Sequence, residues 1–280
     1  MEDISYFAEG GYSTGDIRWE PYLEQRIQEY IEEESVLRNY VFVYPLPQNT
    51  FTIKIPRNYP TGMAVEISEG SEIPRVRQPT DMFELSVVKY GTGGEMTDEA
   101  KETDWLGILG DAQIQEAARR MLRKETADII NVMLAGYGTA VEAQESGTLG
   151  YEDVVRLKTL MIKANASPDV LFVSPDEHAS LLIDDRFVDF SASGSDQTLR
   201  EGVIGRVSGL DVVMVPELPS GTAIMMETSD SADNPVWLVE RQDVKIERDR
   251  DPERQVDMFF LTAWKKPVVI RPLGIGLIQV

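Results

Sequence analysis

One long amphipathic stretch limits what this chain can become. Between Asp104 and Gly138, residues Ile114, Ala118, Met121, Leu122, Ile129, Val132 and Met133 recur at steps of three and four. That spacing places them along one side of a helix. Asp104 and Asp111 are both N-cap candidates, so the start can lie at either. Gly136 and Gly138 are expected to end the helix through the left-handed conformation of a C-cap. From Asp111 to Ala135 it would run roughly 37 Å at 1.5 Å per residue, enough to cross a small domain. The residues before it read as extended and arm-like, those after it as compact and mixed α/β. The helix is expected to be a spine.

The 280 residues suffice for a substantial core and one or two domains. No run approaches the ~18 consecutive apolar residues of a membrane span. The opening MEDISYFAEGG is acidic and lacks the basic region and apolar core of a secretory signal, so a cytoplasmic product with no membrane partner is expected. There are no cysteines, which excludes disulfides, thiolate metal sites and cysteine nucleophiles. His178 is the only histidine, which removes most zinc sites and any mechanism needing two imidazoles. A formal charge of -21, from 48 acidic against 27 basic residues, argues against a general nucleic-acid-binding surface. Copies of so acidic a chain should associate best at raised ionic strength.

Along the chain, Trp19–Leu37 carries Leu23, Ile27, Tyr30 and Ile31 at helical spacing and reads as a short amphipathic helix on an arm. Its apolar stripe needs a partner, either its own body or a neighbouring subunit. From Val41 to Tyr90 short strands are broken by proline and glycine: Phe51–Ile55, Met63–Ile67 after a Pro60-Thr61-Gly62 turn, and Phe83–Tyr90. A ribbon this polar is marginal alone in water, so it must lie on something. Gly91 to Gly94 reads as a hinge; no Gly-Lys-Ser/Thr comes after it, so it is no phosphate loop. Beyond the spine, Tyr151–Ala164 is a second amphipathic helix and Asp169–Ser174 a strand covered on both faces. Pro175 opens a helix through Leu182, and Ser191–Gln197 is a polar loop. Asp211–Pro216 is another buried strand, with Thr222–Glu227 expected to pair near it. The tail reads as strands Val236–Glu240, Val244–Arg248, Val256–Trp264 and Val268–Ile270, separated by turns at Asp251-Pro252 and Lys266-Pro267. Helices alternating with apolar strands give an α/β unit between spine and tail.

Motifs for chemistry are absent. Ser174 is not in a Gly-x-Ser-x-Gly elbow, and Gly202, Gly205 and Gly209 have the wrong spacing for a dinucleotide fingerprint. Glu247, Asp249, Asp251 and Glu253 stand two apart, a row able to bind a divalent cation but better read as a solvated or subunit-paired strand. No catalytic residue, metal site or cofactor is expected. One charged cluster stands out: Arg119, Arg120, Arg123 and Lys124 put four cations within six residues of the spine. Glu116 can pair with Arg120, but local pairing is not expected to absorb them all. The cluster reads either as a solvated helix face or as a docking strip for acidic groups, carboxylates of neighbours or phosphates.

The order of parts resembles the major capsid proteins of tailed double-stranded DNA viruses with the HK97 fold. The resemblance spans nearly the whole chain. It rests on YEDVVRLKTLM, PDVLFVSPDEHASLL, LREGVIGRVSGLDVVMVPELPSGTA and the closing DMFFLTAWKKPVVIRPLGIGLI. It implies an α+β fold with an N-arm at 1–50 and an extended β-hairpin E-loop at 51–95. A peripheral domain with the spine helix would take 96–148 and 235–262, and an α/β axial domain 149–234 and 263–280. The implied function is structural, not enzymatic: hexamers and pentamers forming an icosahedral shell around double-stranded DNA bound without sequence specificity. Portal, scaffold or decoration proteins would be further partners, in a virion capsid assembled in the host cytoplasm. Phe51, Ile53, Val65 and Ile67 are then the expected E-loop contacts with the next subunit. Some relatives crosslink an E-loop lysine to a peripheral-domain asparagine; Lys54 and Lys89 offer amines, but Asn234 lies at the junction with the axial domain, so that activity is not expected. An encapsulin-type compartment shell is the nearest alternative, and an acidic α/β enzyme with no recognisable site a more distant one.

Overall fold

A computed structural model describes residues 36–47, 49–58, 66–67, 80–103, 108–145, 147–183 and 206–280. The expected arm helix at Trp19–Leu37 lies outside these apart from its last two residues, as does the Ser191–Gln197 loop. Of the Met63–Ile67 strand only Glu66 and Ile67 are described, and neither is in a strand.

The described elements run β1 (Phe42–Pro45), β2 (Thr52–Asn58), β3 (Thr80–Ser86), β4 (Val88–Thr97), α1 (Asp98–Thr103), α2 (Ile108–Ala135), β5 (Thr139–Glu142) and α3 (Tyr151–Lys163). They continue with β6 (Val170–Val173), α4 (Pro175–Ile183), β7 (Arg206–Val207), β8 (Leu210–Met214), β9 (Thr222–Met226), β10 (Val236–Asp251), β11 (Val256–Val269) and β12 (Ile275–Gln279). Two compact units emerge, one from Lys89–Leu122 and Asp243–Ala263, the other from Val36–Val88, Arg123–Gln242 and Trp264–Val280. The boundary falls inside α2, β4, β10 and β11, which contribute to both.

In the larger unit a six-stranded sheet has the order β5-β12-β9-β6-β8-β7. Side chains alternate across it, so Phe172, Ile224 and Leu277 join Ile129 and Met133 of α2 on one face. Leu171, Val173, Met225 and Ile278 join Leu157 and Met161 of α3 and Leu181 of α4 on the other. Helices on both faces explain why all four residues of β6 are buried. β9 pairs with β6 and β12, not with β8, because β6 lies between them. β8 carries the exposed Met214 and is less covered than the sequence suggests.

The smaller unit is simpler. Ala117, Ala118 and Met121 of α2 pack on Val244 and Ile246 of β10 and Leu261 and Ala263 of β11. Two alanines at the contact let helix and strands approach closely.

Several boundaries differ from the sequence expectation, each for a local reason. The spine starts at Ile108 and spans 28 residues, about 42 Å at 1.5 Å per residue; Asp111 is inside it and Asp104 is outside the described residues. Gly136 and Gly138 are not among the positive-φ glycines of the described residues, Gly147, Gly209 and Gly221. Close packing requires them instead: a Cβ on Gly138 would stand 2.6 Å from the Pro272 carbonyl oxygen, and one on Gly136 2.9 Å from Val269. Gly91–Gly94 is not a hinge but the middle of β4, where rings of β11 occupy the space of missing side chains. A Cβ on Gly94 would lie 2.6 Å from the Phe259 ring, and one on Gly93 2.7 Å from the Phe259 carbonyl oxygen. Phe83–Tyr90 divides at Val87 into β3 and β4. The tail holds two long strands where four were expected, and β11 continues through Pro267. Gly93 meets Phe259 and Gly91 meets Leu261; the same two-for-two step brings the start of β4 to Trp264. Pro267 therefore lies past the reach of β4, and its missing N–H loses no rung there.

Candidate functional site

The basic residues of the spine lie on one helix but in two surroundings. Arg119 and Arg120 fall in the smaller unit, Arg123 and Lys124 in the larger. All four are exposed, while Ala117, Ala118, Met121 and Glu125 on the other side of the helix are buried. Arg120 Nε lies 3.6 Å from Glu116 Oε1 and Lys124 Nζ 2.7 Å from Asp128 Oδ1, both at i,i+4. Local pairing thus absorbs more of the cluster than Glu116 alone could, because Asp128 stands one turn beyond Lys124. Exposed pairs of this kind are worth about 0.3–0.5 kcal/mol to folding.

The ribbon is tied at its root. β2 and β3 pair antiparallel with Ile53 opposite Leu85 and Ile55 opposite Phe83. These four pack with Leu46, Trp237 and Val239, and Leu85 is fully buried. Ile53 therefore faces its own chain. Phe51 is 50% exposed, with its ring edge-on to Trp264 at 5.3 Å and the Arg241 guanidinium 4.0 Å above its centroid. Such a cation–π stack favours a fixed ring at the start of the ribbon. Lys266 Nζ donates to Ser86 Oγ at 3.1 Å at the same end, since Ser86 stands opposite Thr52. The opposite face carries Lys54 and Glu84, 4.0 Å apart, and Met82 at 64% exposure. Ile67 is exposed, and Val65 lies outside the described residues.

Two charged groupings were not anticipated. In the larger unit Lys265 Nζ sits 3.2 Å from Glu125 Oε2 and 3.5 Å from Glu240 Oε2, and Arg38 holds Glu240 at 2.9 Å. A signal existed: Leu261, Ala263 and Lys265 stand two apart on β11, so the lysine occupies a core-facing position. In the smaller unit Arg250 takes both carboxylate oxygens of Asp98, at 2.7 and 3.2 Å, and Asp257 at 2.9 Å. That pairing joins segments far apart in sequence, so spacing alone gave no hint of it.

The acidic row does not converge. The Lys245 ammonium donates to Glu247 at 2.8 Å; that hydrogen bond first, then the ammonium charge, holds Glu247 below the usual carboxylate range. Asp251 accepts the N–H groups of Glu253 and Arg254 and closes the turn after β10. Among the described residues no group of three His, Asp or Glu side chains is placed to hold a metal ion. Asn234 is buried, its amide donating to the Tyr40 and Ser229 carbonyls at 2.9 Å and accepting from Val236 N–H. An amide so engaged is poorly offered to a lysine.

Ser174 Oγ bonds the Glu177 carboxylate, whose other oxygen accepts Gly221 N–H at 2.7 Å. This buried set opens α4 and fastens the loop before β9; it has no nucleophile–base arrangement with His178. The arrangement overall is one of packed surfaces and anchors.

The model of the phage capsid protein family matches residues 83–276, more than half of the chain. No curated protein sequence matches it. Among solved structures the fold resembles the mature capsid of bacteriophage PhiM1, with 14% identity, 88% of this chain and 87% of that one covered, and a TM-score of 0.64. It resembles the capsid of cyanophage P-SCSP1u, with 14% identity, 88% of each chain and a TM-score of 0.67. It also resembles the SrpI encapsulin of Synechococcus elongatus PCC 7942, with 10% identity, 88% and 87% covered, and a TM-score of 0.61. With two-thirds of the sequence matched, from the ribbon's second strand into β12, this chain belongs to the phage capsid protein family and is a shell-forming major capsid protein of the HK97 fold.

Proposed function

We propose that this capsid protein closes into an icosahedral shell of hexamers and pentamers around double-stranded DNA. The DNA is held without sequence-specific contacts, assembly occurs in the host cytoplasm, and no reaction is catalysed. Residues 1–50 act as N-arm, 51–95 as E-loop, 96–148 and 235–262 as peripheral domain, and 149–234 with 263–280 as axial domain. Arg119, Arg120, Arg123 and Lys124 meet acidic groups of neighbours or the genome. Phe51, Val65 and Ile67 contribute to subunit contacts, with Ile53 supporting the ribbon from below. Portal, scaffold or decoration proteins complete the particle.

The observation that carries this reading is the ribbon. β2 and β3 form a two-stranded sheet joined to no other strand among the described residues. Such a hairpin is marginal alone in water, and beyond its packed root it leaves Met82 and Ile67 exposed. A neighbouring subunit supplies the missing cover.

Electron microscopy of the purified protein, with nuclease protection of the contents, tests this. Closed, DNA-filled particles from infected cells and capsomers or shells from the isolated chain are the expected result. A stable monomer at all concentrations and salts would overturn it. Shells that hold protein and no protected DNA would point instead to a compartment like that of the encapsulin it resembles.

A further inference from the structure

Strands β10 and β11 serve two different surroundings with alternate residues. Glu240 and Lys265 belong to the buried charged group, with Lys265 Nζ 3.5 Å from Glu240 Oε2. Their chain neighbours Arg241, Trp264 and Lys266 stand on the opposite face, because side chains alternate along a strand. Trp237 and Val239 of β10 and Val268 and Ile270 of β11 share that phase, and they pack with Ile53, Ile55, Phe83 and Leu85 of the ribbon. One face of the two strands thus offers an apolar bed and, beside it, three residues able to make directional contacts.

The ribbon begins at those three residues. The Phe51 carbonyl accepts the Val87 N–H at 3.2 Å, just before the pair Thr52 and Ser86. The Arg241 guanidinium lies 4.0 Å from the Phe51 ring centroid and 5.2 Å from that of Trp264. The two rings meet edge to face at 5.3 Å and 65°. On the other strand Lys266 Nζ holds Ser86 Oγ at 3.1 Å. Each strand of the ribbon is therefore tied at its root to β10 or β11. Burial does not explain the tie at Phe51, which stays 50% exposed. Apolar burial is also non-directional, so the bed holds the ribbon down without fixing its angle. Ring edges, a cation over a ring face and a hydrogen bond have preferred geometries, and they do fix it.

We propose that Arg241 is a positioning residue for assembly: by clamping Phe51 against Trp264, it sets the direction in which the ribbon leaves its own body before a second copy is met. This rests on the reading of the ribbon as the part that joins neighbours. A ribbon already held at its angle loses less freedom on contact, and that advantage recurs at every copy.

The ribbon's direction is measured in chains too dilute to assemble. Because the chain has no cysteine, Met82→Cys on the ribbon and Arg156→Cys on α3, both at exposed positions, take two spin labels. Their distance distribution should be narrow, and Arg241→Met, which keeps an apolar stem and removes the cation, should at least double its width. A distribution already broad in the parent, or equally narrow in both, overturns the clamp. In unlabelled chains Arg241→Met should keep its melting temperature within about 3 °C and assemble at least about five-fold more slowly by light scattering. Phe51→Leu removes the ring and should slow assembly likewise. The double variant should be no slower than either single one, since both break the same stack. Wild-type rates in Arg241→Met, or losses that multiply in the double variant, overturn the role in assembly. The distance measurement needs no particles, so a wild-type chain that forms none refutes the shell reading while the labels still decide the clamp.

Discussion

Lys265 Nζ lies 3.2 Å from Glu125 Oε2, with the two side chains 2% and 7% exposed. Glu240 and Arg38 extend the pair into two carboxylates and two cations. The group joins α2, β10, β11 and the short 3₁₀ turn Leu37–Tyr40. Desolvating four charges is costly, and only their mutual neutralisation offsets it.

Lys265→Met is therefore expected to destabilise the protein by about 3–5 kcal/mol, because it strands Glu125 in the core. Lys265→Met with Glu125→Leu should recover much of that loss, since neither uncompensated charge remains. Urea unfolding of the three proteins measures both. Equal stability of the single variant and wild type would show that the cluster is solvated.

The exposed arginines should behave oppositely. Arg119→Gln with Arg123→Gln is expected to move the melting temperature by no more than about 2 °C, because exposed charges contribute little to folding. Particle yield or packaged DNA should fall. Wild-type yield and DNA content in this variant would make the strip a solvated helix face only.

The ribbon can be shortened without touching its root. Replacing residues 57–80 by a short Gly-Ser linker spares Ile53, Ile55, Phe83 and Leu85, which pack on Trp237 and its neighbours. A folded chain with a cooperative melt by circular dichroism, but no closed particles by electron microscopy, is expected. Normal particles from it would mean that the ribbon does not join neighbours. By contrast Leu85→Ala, at a fully buried site, should cost about 2–5 kcal/mol of stability.

Net charge sets the last expectation. At -21 per chain, bringing copies together costs repulsion that salt screens over about 10 Å at 0.1 M. Assembly tracked by light scattering should rise with ionic strength or divalent cations. A fall with salt would show that attractive ion pairs dominate the contacts.

The sequence by itself determined the elements whose signals are local. The spine was legible because Ala118, Met121, Ile129 and Met133 repeat with the helical period, and β6 because Val170–Val173 is unbroken and apolar. Helix α3 was legible from Val154, Leu157 and Met161. Tertiary structure decided what depends on partners distant in the chain. Gly93 and Gly94 read as a hinge until Phe259 and Phe260 of β11 fill the space above them. Pro267 read as a break until the strand beside it proved to end short of it. Ile53 read as a surface for a neighbour until Trp237, nearly two hundred residues away, was found beneath the ribbon. Lys265 joined the core only because Glu125 and Glu240 arrive there from other elements. Periodicity reports which residues share a face; it does not report what covers that face, because burial and charge compensation are properties of pairs that only folding brings together.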